Sequence, residues 1–243
     1  MGIVNVTPDS FSDGGMYREP REAARRAANM VREGAAIVDF GAESTRPGAT
    51  RISWREEWAR LEPVLELAMP ELSGRARASV DTYHPETARL AAEYGVKIIN
   101  CVYPESVPAM LDALSGDETL ELVLPSSYLG GAERLPPELA AVSTRIYLDP
   151  MIGFTRCRED DIALLKGIGR LAKISRVLVG ASRKRIVKHL TGEKTAGKNL
   201  GGNLALAVYA ALAGASAVRV HDVRETVQAM KVADVLSGVL PAE

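Results

Sequence analysis

The sequence has few of the features that mark a secreted, membrane-bound or nucleic-acid-binding protein. Only Cys101 and Cys157 among its 243 residues are cysteines, so a disulfide framework is not supported. Aromatic residues make up 5%, which argues against base-stacking platforms, and the net charge of -1 gives no general attraction to nucleic acid. No apolar run approaches the length of a membrane span, and no signal peptide is visible. We therefore expect a cytoplasmic protein that binds neither nucleic acid nor membranes.

Short apolar runs alternate with longer amphipathic segments along the whole chain. The runs are almost continuously apolar, as expected for strands that are buried on both faces of a parallel sheet. The predicted strands are residues 2–6, 35–40, 76–81, 97–101, 120–124, 145–149, 175–181 and 217–221. The predicted helices are residues 21–33, 54–72, 85–94, 104–114, 136–141, 160–172, 200–213 and 224–236.

This alternation predicts an α/β fold. Strand–helix units with right-handed crossovers can close into a barrel, and a chain of this length suits one barrel. An open doubly wound sheet is the competing architecture, but no Gly-x-Gly-x-x-Gly turn follows the first strand. No linker or repeat marks a second domain. We therefore predict a single (β/α)8 TIM-barrel domain over residues 1–243, with its active site at the C-terminal ends of the strands.

Polar residues recur near the ends of the predicted strands. They are Asn5, Asp39, Asp81, Asn100, Asp149, Arg219 and His221. Buried polar groups are unfavourable unless they are paired or used, so their recurrence on six of the eight predicted strands indicates a shared polar site.

The residue types in this site allow more than one chemistry. Its carboxylates could accept the adjacent N–H donors of a 2-amino-4-oxo-pterin, or they could hold a divalent metal ion. The segment 182–185, Ser-Arg-Lys-Arg, follows the seventh strand, and Arg219 and His221 lie on the same side of the eighth. These cations favour an anion site near strands seven and eight, where barrels often bind phosphate. Arg46 could add a bidentate contact from the second loop.

Several long motifs resemble those of the dihydropteroate synthase family. Residues 1–15 read Met-Gly-Ile-Val-Asn-Val-Thr-Pro-Asp-Ser-Phe-Ser-Asp-Gly-Gly, and residues 41–48 read Gly-Ala-Glu-Ser-Thr-Arg-Pro-Gly. Shorter matches follow in order at residues 79–82, 98–100, 149–150, 153–154, 182–184 and 219–222. The likeness spans nearly the whole chain, and the first two motifs are highly specific.

The resemblance implies a transferase that joins 6-hydroxymethyl-7,8-dihydropterin pyrophosphate to p-aminobenzoate and releases pyrophosphate. It implies a pterin pocket of Asp81, Asn100, Asp149 and Lys184. It implies pyrophosphate binding by Asn5, Thr45, Arg46, Arg219 and His221, with Mg2+ near Asn5. It implies an aminobenzoate site that includes Thr45, Pro47, Phe154 and Arg185. Asp9, Thr45, Arg46 and Lys184 would be the catalytic residues, with Ser10 assisting closure of the first loop.

The sequence departs from the family pattern in places that fall unevenly over the site. Cys101 stands where the family has Asp, and residues 125–127, Pro-Ser-Ser, replace a Met-His-Met-like stretch. Thr155 and Arg156 replace Gly-Lys, and Arg185 replaces a common Ser. The residues implied for pyrophosphate are intact, so we expect the acceptor site to differ most.

Two other functions remain open from the sequence. One is a pterin-binding barrel similar to the methyltetrahydrofolate–corrinoid methyltransferases, which would not need the pyrophosphate residues. The other is a non-catalytic paralogue, for which degraded loops would be expected. The resemblance also implies a possible homodimer formed through apolar helices late in the barrel, at residues 204–212 and 227–236.

Overall fold

A computed structural model describes residues 1–6, 20–43, 50–195 and 197–239. Eight parallel strands alternate with helices, as predicted for a TIM barrel. The strands are β1 Gly2–Asn5, β2 Ile37–Gly41, β3 Arg77–Asp81, β4 Ile98–Asn100, β5 Glu121–Pro125, β6 Ile146–Asp149, β7 Arg176–Val179 and β8 Ala217–Val218. Each predicted strand is confirmed, with its ends shifted by a few residues.

The α-helices of the described residues lie between and after these strands. They are α1 Pro20–Arg32, α2 Trp54–Leu72, α3 Pro85–Glu93, α4 Val107–Ala113, α5 Pro137–Ala140, α6 Arg158–Lys166, α7 Ile168–Leu171, α8 Arg185–Thr191, α9 Leu200–Leu212 and α10 Val223–Leu236. Three short 3-10 turns, Pro104–Ser106, Ser126–Leu129 and Ser143–Arg145, complete the described helical segments.

The strands lie in sequence order, and the sheet curls until its two edges meet. Strand β8 pairs with β7 through two residues, and Val220 then forms a parallel bridge with Gly2 of β1. The amide of Ile3 donates to the carbonyl oxygen of Val220 at 3.1 Å. This change of partner explains why β8 is so short, because the chain leaves the β7 ladder to close the barrel.

The apolar core forms two layers, one on each face of the sheet. Inside the barrel, Ile37, Ile98, Val123, Tyr147 and Leu178 pack together. A larger cluster fills the space between the strands and the surrounding helices. Because side chains alternate along a strand, the residues two places beyond the interior layer also face the barrel axis, at its C-terminal mouth.

One helix prediction was wrong, and one helix was not predicted. The helix predicted over residues 160–172 is divided into α6 and α7 at Gly167. Helix α8 was not predicted, because a helix of seven residues is too short for a clear period. Lys184 is its N-cap residue. Among the described residues, no helix is both long and apolar enough to cross a membrane.

Candidate active site at the mouth of the barrel

Asp81 and Asn100 lie side by side at the C-terminal ends of β3 and β4. The two residues are register partners, and only 8% of Asp81 and 2% of Asn100 are exposed. Asp81 Oδ1 and Asn100 Oδ1 are buried and have no hydrogen-bond partner among the described residues. Buried acceptors are rarely left unsatisfied, so these oxygens are available to a ligand that brings N–H donors.

Arg219 lies across the mouth and joins two carboxylates. Its Nε donates to Asp39 Oδ2 at 2.6 Å, and its Nη2 donates to Asp81 Oδ2 at 2.8 Å. The second oxygen of Asp39 accepts a hydrogen bond from Ser79 Oγ at 2.5 Å. Asp39 is therefore a structural partner of Arg219, and their hydrogen bond fixes the guanidinium at the mouth.

Burial and charge act in opposite directions on this cluster. Burial raises the pKa of Asp81 to about 7, although the positive charge of Arg219 lowers it. Burial alone would lower the pKa of Arg219, but the charges of Asp39 and Asp81 outweigh it and raise that pKa. Arg219 therefore stays charged, while Asp81 exchanges its proton near neutral pH.

Asp149 and Lys184 form the opposite wall of the mouth. Asp149 ends β6, and its Oδ1 accepts the amide of Met151 at 2.7 Å. Lys184 Nζ donates to the carbonyl oxygen of Ile152 at 2.6 Å and lies 4.7 Å from the centre of the Phe154 ring. Burial lowers the pKa of Lys184 to about 8, and Asp149 partly offsets this effect. Burial also raises the pKa of Asp149.

His221 and Asn5 lie on neighbouring chain segments where the barrel closes. The Nδ1 atom of His221 is 3.1 Å from Ser182 Oγ, which also accepts the His221 amide at 3.3 Å. Asn5 is half-buried at the end of β1 and pairs with Gly41 of β2. The structure thus brings Asn5, Arg219 and His221 to the same end of the barrel, as the sequence predicts.

The turn that carries Lys184 depends on a residue that the sequence prediction missed. Arg183 has a φ of 58°, a left-handed conformation that is unusual for a residue with a side chain. Its amide donates to Asn203 Oδ1 of α9 at 2.9 Å, and its Nη2 donates to Asp222 Oδ1 at 2.8 Å. Asn203 is far from Lys184 in the sequence and belongs to none of the motifs, so no sequence signal identified it.

Among the described site residues, those expected near the acceptor are the most exposed. Phe154 is 38% exposed, and Arg185 Nη2 donates to the carbonyl oxygen of Thr155 at 2.9 Å. Pro125 is buried opposite Asp149 in the register of β5 and β6. Cys101 is also buried, and its Sγ lies 3.6 Å from the carbonyl oxygen of Tyr103.

Some predicted site residues lie outside the described part of the chain. They are Asp9 and Ser10 of the first loop and Thr45, Arg46 and Pro47 of the second. Their predicted roles stay predictions. The described residues that flank them, Val6 and Glu43, lie on the C-terminal side of β1 and β2, which is the same side as the site.

Comparison with known proteins agrees with this geometry. Residues 1–124 and 137–221 match the family described as pterin binding enzyme. A dihydropteroate synthase from Streptococcus pyogenes is 36% identical over 241 residues, which cover 92% of this chain and 90% of that protein. The dihydropteroate synthase of Escherichia coli is 37% identical over 261 residues, which cover 96% of this chain and 90% of the relative.

Solved structures give the same result. The Xanthomonas albilineans dihydropteroate synthase with 4-aminobenzoic acid superimposes with a TM-score of 0.84 at 35% identity, covering 99% of this chain and 93% of the other. The same enzyme in complex with 7,8-dihydropteroate gives a TM-score of 0.81 at 32% identity, covering 99% and 94%. The chain therefore belongs to the dihydropteroate synthase family of pterin-binding enzymes.

Proposed function

We propose that this protein is a dihydropteroate synthase, a transferase of folate biosynthesis. It condenses 6-hydroxymethyl-7,8-dihydropterin pyrophosphate with p-aminobenzoate and releases pyrophosphate. The observation that carries the proposal is the pair of unpartnered oxygens, Asp81 Oδ1 and Asn100 Oδ1, buried on adjacent strands at the barrel mouth. A 2-amino-4-oxo-pterin presents adjacent N–H donors that such acceptors can bind.

Asp149 and Lys184 complete the proposed pterin pocket from the other side. The carboxylate of Asp149 offers further acceptor capacity, while the ammonium of Lys184 donates and can face the ring oxygen of the pterin. The fixed positions of both groups matter because a bound substrate that is already oriented reacts faster than one that must still be ordered.

Arg219 and His221 support the proposal for the leaving group. Breaking the bond to pyrophosphate leaves negative charge on the departing oxygen and positive charge on the electron-rich dihydropterin. A guanidinium that is held in place can stabilise the developing negative charge without reorganising. Asp39 and Asp81 orient Arg219 for this purpose. Their negative charges also offset part of the positive charge that the guanidinium presents to the substrate.

The donors at the mouth fit Mg2+ when it is bound together with pyrophosphate. The described residues include no group of three or more His, Cys, Asp or Glu side chains that could hold a metal ion. Mg2+ often uses only one or two protein oxygens together with substrate phosphates, so the amide oxygen of Asn5 is a suitable ligand. Bound in this way, the ion would neutralise charge on the leaving pyrophosphate.

The acceptor in this proposal is p-aminobenzoate, and the exposed ring of Phe154 offers an apolar face for it. Arg185 is close enough to Phe154 and Thr155 to attract a carboxylate at the rim of the site. The test is direct: purified protein, Mg2+, the pterin pyrophosphate and p-aminobenzoate are incubated, and 7,8-dihydropteroate is detected by mass.

We also propose a homodimer formed through α9 and α10, which pack against each other. Both helices expose large apolar side chains: Tyr209 is 44% exposed, Leu212 63%, Val232 61% and Leu236 82%. Exposed apolar residues of this size on neighbouring helices favour burial against another surface. The expected cytoplasmic location stays a prediction.

A further inference from the structure

Asp161 of α6 is a buried carboxylate to which none of the motifs gives a role. Only 1% of the residue is exposed. Its Oδ1 accepts a hydrogen bond from the amide of Gly153 at 2.8 Å and lies 2.8 Å from Thr155 Oγ1, which shares its one proton between Asp161 and the carbonyl oxygen of Cys157 at 2.7 Å. Its Oδ2 is buried and has no partner among the described residues. A carboxylate is rarely buried unless its hydrogen bonds are satisfied. The two groups that contact Oδ1 therefore identify the part of the chain that Asp161 holds in place.

Both donors belong to the segment between β6 and α6, which forms the wall against Lys184. This segment, residues 150–157, supplies the Ile152 carbonyl oxygen that accepts from Lys184 Nζ and the Phe154 ring beside it. Contact with the lysine stem is close, because a Cβ atom at Gly153 would lie 2.7 Å from Lys184 Cδ. A shift of Gly153 would therefore move the surroundings of the lysine.

The segment has an unfavourable backbone conformation that must be held from outside. Met151 has a φ of 63°, and Gly153 has a φ of 86°. A non-glycine residue in this region persists only where its surroundings hold it there. Asp149 Oδ1 accepts the amide of the strained Met151, and Asp161 Oδ1 accepts the amide of Gly153 two residues further along, so a carboxylate fixes each of these backbone positions.

We propose that Asp161 is a positioning residue that holds Gly153 and Thr155 and thereby fixes Lys184 for pterin binding. It acts through the loop and does not touch substrate. This inference rests on the proposed function for the role of Lys184 in binding pterin. The hydrogen-bond acceptor at Oδ1 is the part that matters, and the charge of the carboxylate is secondary.

The test compares Asp161→Ala with Asp161→Asn, which keeps an acceptor oxygen. The first readout is the pH dependence of chemical modification of the Lys184 amine, followed by peptide mass mapping, which needs no enzymatic activity. In the unaltered protein the modification profile follows a pKa of about 8. The charge of Asp161 raises the pKa of Lys184, and both variants lose this effect. We expect Asp161→Asn to lower the pKa, because it removes only the charge, and Asp161→Ala to give a higher pKa than Asp161→Asn, because it also admits water to the lysine.

The second readout is the dissociation constant for 6-hydroxymethyl-7,8-dihydropterin pyrophosphate, measured by calorimetry. We expect Asp161→Ala to weaken binding about tenfold or more, and Asp161→Asn to weaken it less than about threefold. Leu165→Ala is the matched control, because it removes a buried apolar side chain from the same helix and leaves the Asp161 carboxylate in place. We expect it to lower the unfolding temperature and to leave both readouts unchanged.

Two results would overturn the proposal. One is an Asp161→Ala protein whose Lys184 profile and pterin affinity equal those of Leu165→Ala. The other is an Asp161→Asn protein as impaired as Asp161→Ala, which would assign the effect to charge. A protein that never binds the pterin would contradict the proposed function instead, and the Lys184 profile would still decide the role of Asp161.

Discussion

The Nη2 atom of Arg219 lies 2.8 Å from Oδ2 of Asp81. This contact joins a residue assigned to pyrophosphate with one assigned to the pterin. Because Asp39 also accepts from Arg219, one guanidinium is shared by two carboxylates that are both largely buried. The residues that we propose for pyrophosphate and for the pterin are thus electrostatically coupled through Arg219 and Asp81.

The first prediction follows from this coupling. Arg219→Ala leaves Asp39 and Asp81 buried without their cation, and breaking a buried pair in this way costs about 3 kcal/mol or more. Arg219 lowers the pKa of Asp81, which is about 7, so its removal raises that pKa further. In the variant, Asp81 is protonated at pH 6, so no buried negative charge is left without a partner at this position. We expect a larger loss of unfolding free energy at pH 8 than at pH 6.

Urea denaturation at the two pH values measures this loss. Arg224→Ala removes an exposed arginine nearby in the sequence and is the control, for which we expect little change at either pH. A loss for Arg219→Ala that is equal at both pH values would contradict the coupling of Arg219 to the protonation of Asp81.

A second prediction concerns Glu57 of α2, which is fully buried and accepts a hydrogen bond from Thr82 Oγ1 at 2.7 Å. Burial raises the pKa of Glu57 to about 7. An acid with a raised pKa in the folded state favours folding below its unfolded value of 4.5, and this effect is lost as the pH rises through 7. Glu57→Gln keeps an acceptor for Thr82 and removes the titration.

We therefore expect Glu57→Gln to be more stable than the unaltered protein at pH 8, by roughly 2 kcal/mol, and similar in stability at pH 5. The free energy of unfolding at both pH values is the measurement. Glu56→Gln changes the exposed neighbour on the same helix and should show no such dependence on pH. A Glu57→Gln protein less stable than the original at pH 8 would contradict the prediction.

The third prediction is that Lys184 is required for pterin affinity. Lys184→Ala removes a donor from the pocket wall, and we expect the dissociation constant of the pterin pyrophosphate to rise about tenfold or more. The pKa of Lys184 is lowered to about 8, so its ammonium is lost as the pH rises through 8. Affinity of the unaltered protein should fall over that range, and Lys184→Ala should lack this step.

Calorimetric titrations between pH 7 and pH 9 test this prediction. Lys194→Ala, which removes an exposed lysine, is the control and should retain both affinity and pH dependence. Unchanged affinity in Lys184→Ala would remove Lys184 from the pocket.

The fourth prediction tests the dimer. Leu212→Glu and Leu236→Glu each place a charge on a strongly exposed apolar residue of α9 or α10. If these faces are buried between two copies, we expect the molar mass measured by light scattering to fall to that of a monomer. Leu67→Glu alters an exposed leucine of α2 and should leave the mass unchanged. An unaltered protein that is already monomeric would contradict the proposal.

The sequence predicted the barrel and the convergence of polar residues at its C-terminal end, because both depend on patterns that are local in the chain. Continuous apolar runs identified all eight strands, and the polar residues that follow them, such as Asp81 and Asn100, converge because parallel strands share one C-terminal edge. The roles of these residues came from the family motifs, since three carboxylates alone do not distinguish a pterin from a metal ion.

The supporting contacts could not be predicted, because they join residues that are distant in the sequence. Asp39 was interpreted as part of a shared polar site. Its hydrogen bond to Arg219 was not predicted, because the two residues lie 180 positions apart in the sequence. Asn203 of α9 supports the turn at Arg183, and Asp161 lies in the first turn of α6, where acidic residues are common. Neither residue type nor periodicity indicates such contacts.

The central claim is that the protein couples a pterin pyrophosphate to p-aminobenzoate. Its most direct test measures pyrophosphate release and 7,8-dihydropteroate formation separately in one reaction of purified protein, Mg2+ and both substrates. We predict that the two products appear in equal amounts and that release depends on p-aminobenzoate. Folded protein that binds the pterin but forms neither product would contradict the enzymatic function, and release without coupling would contradict p-aminobenzoate as the acceptor.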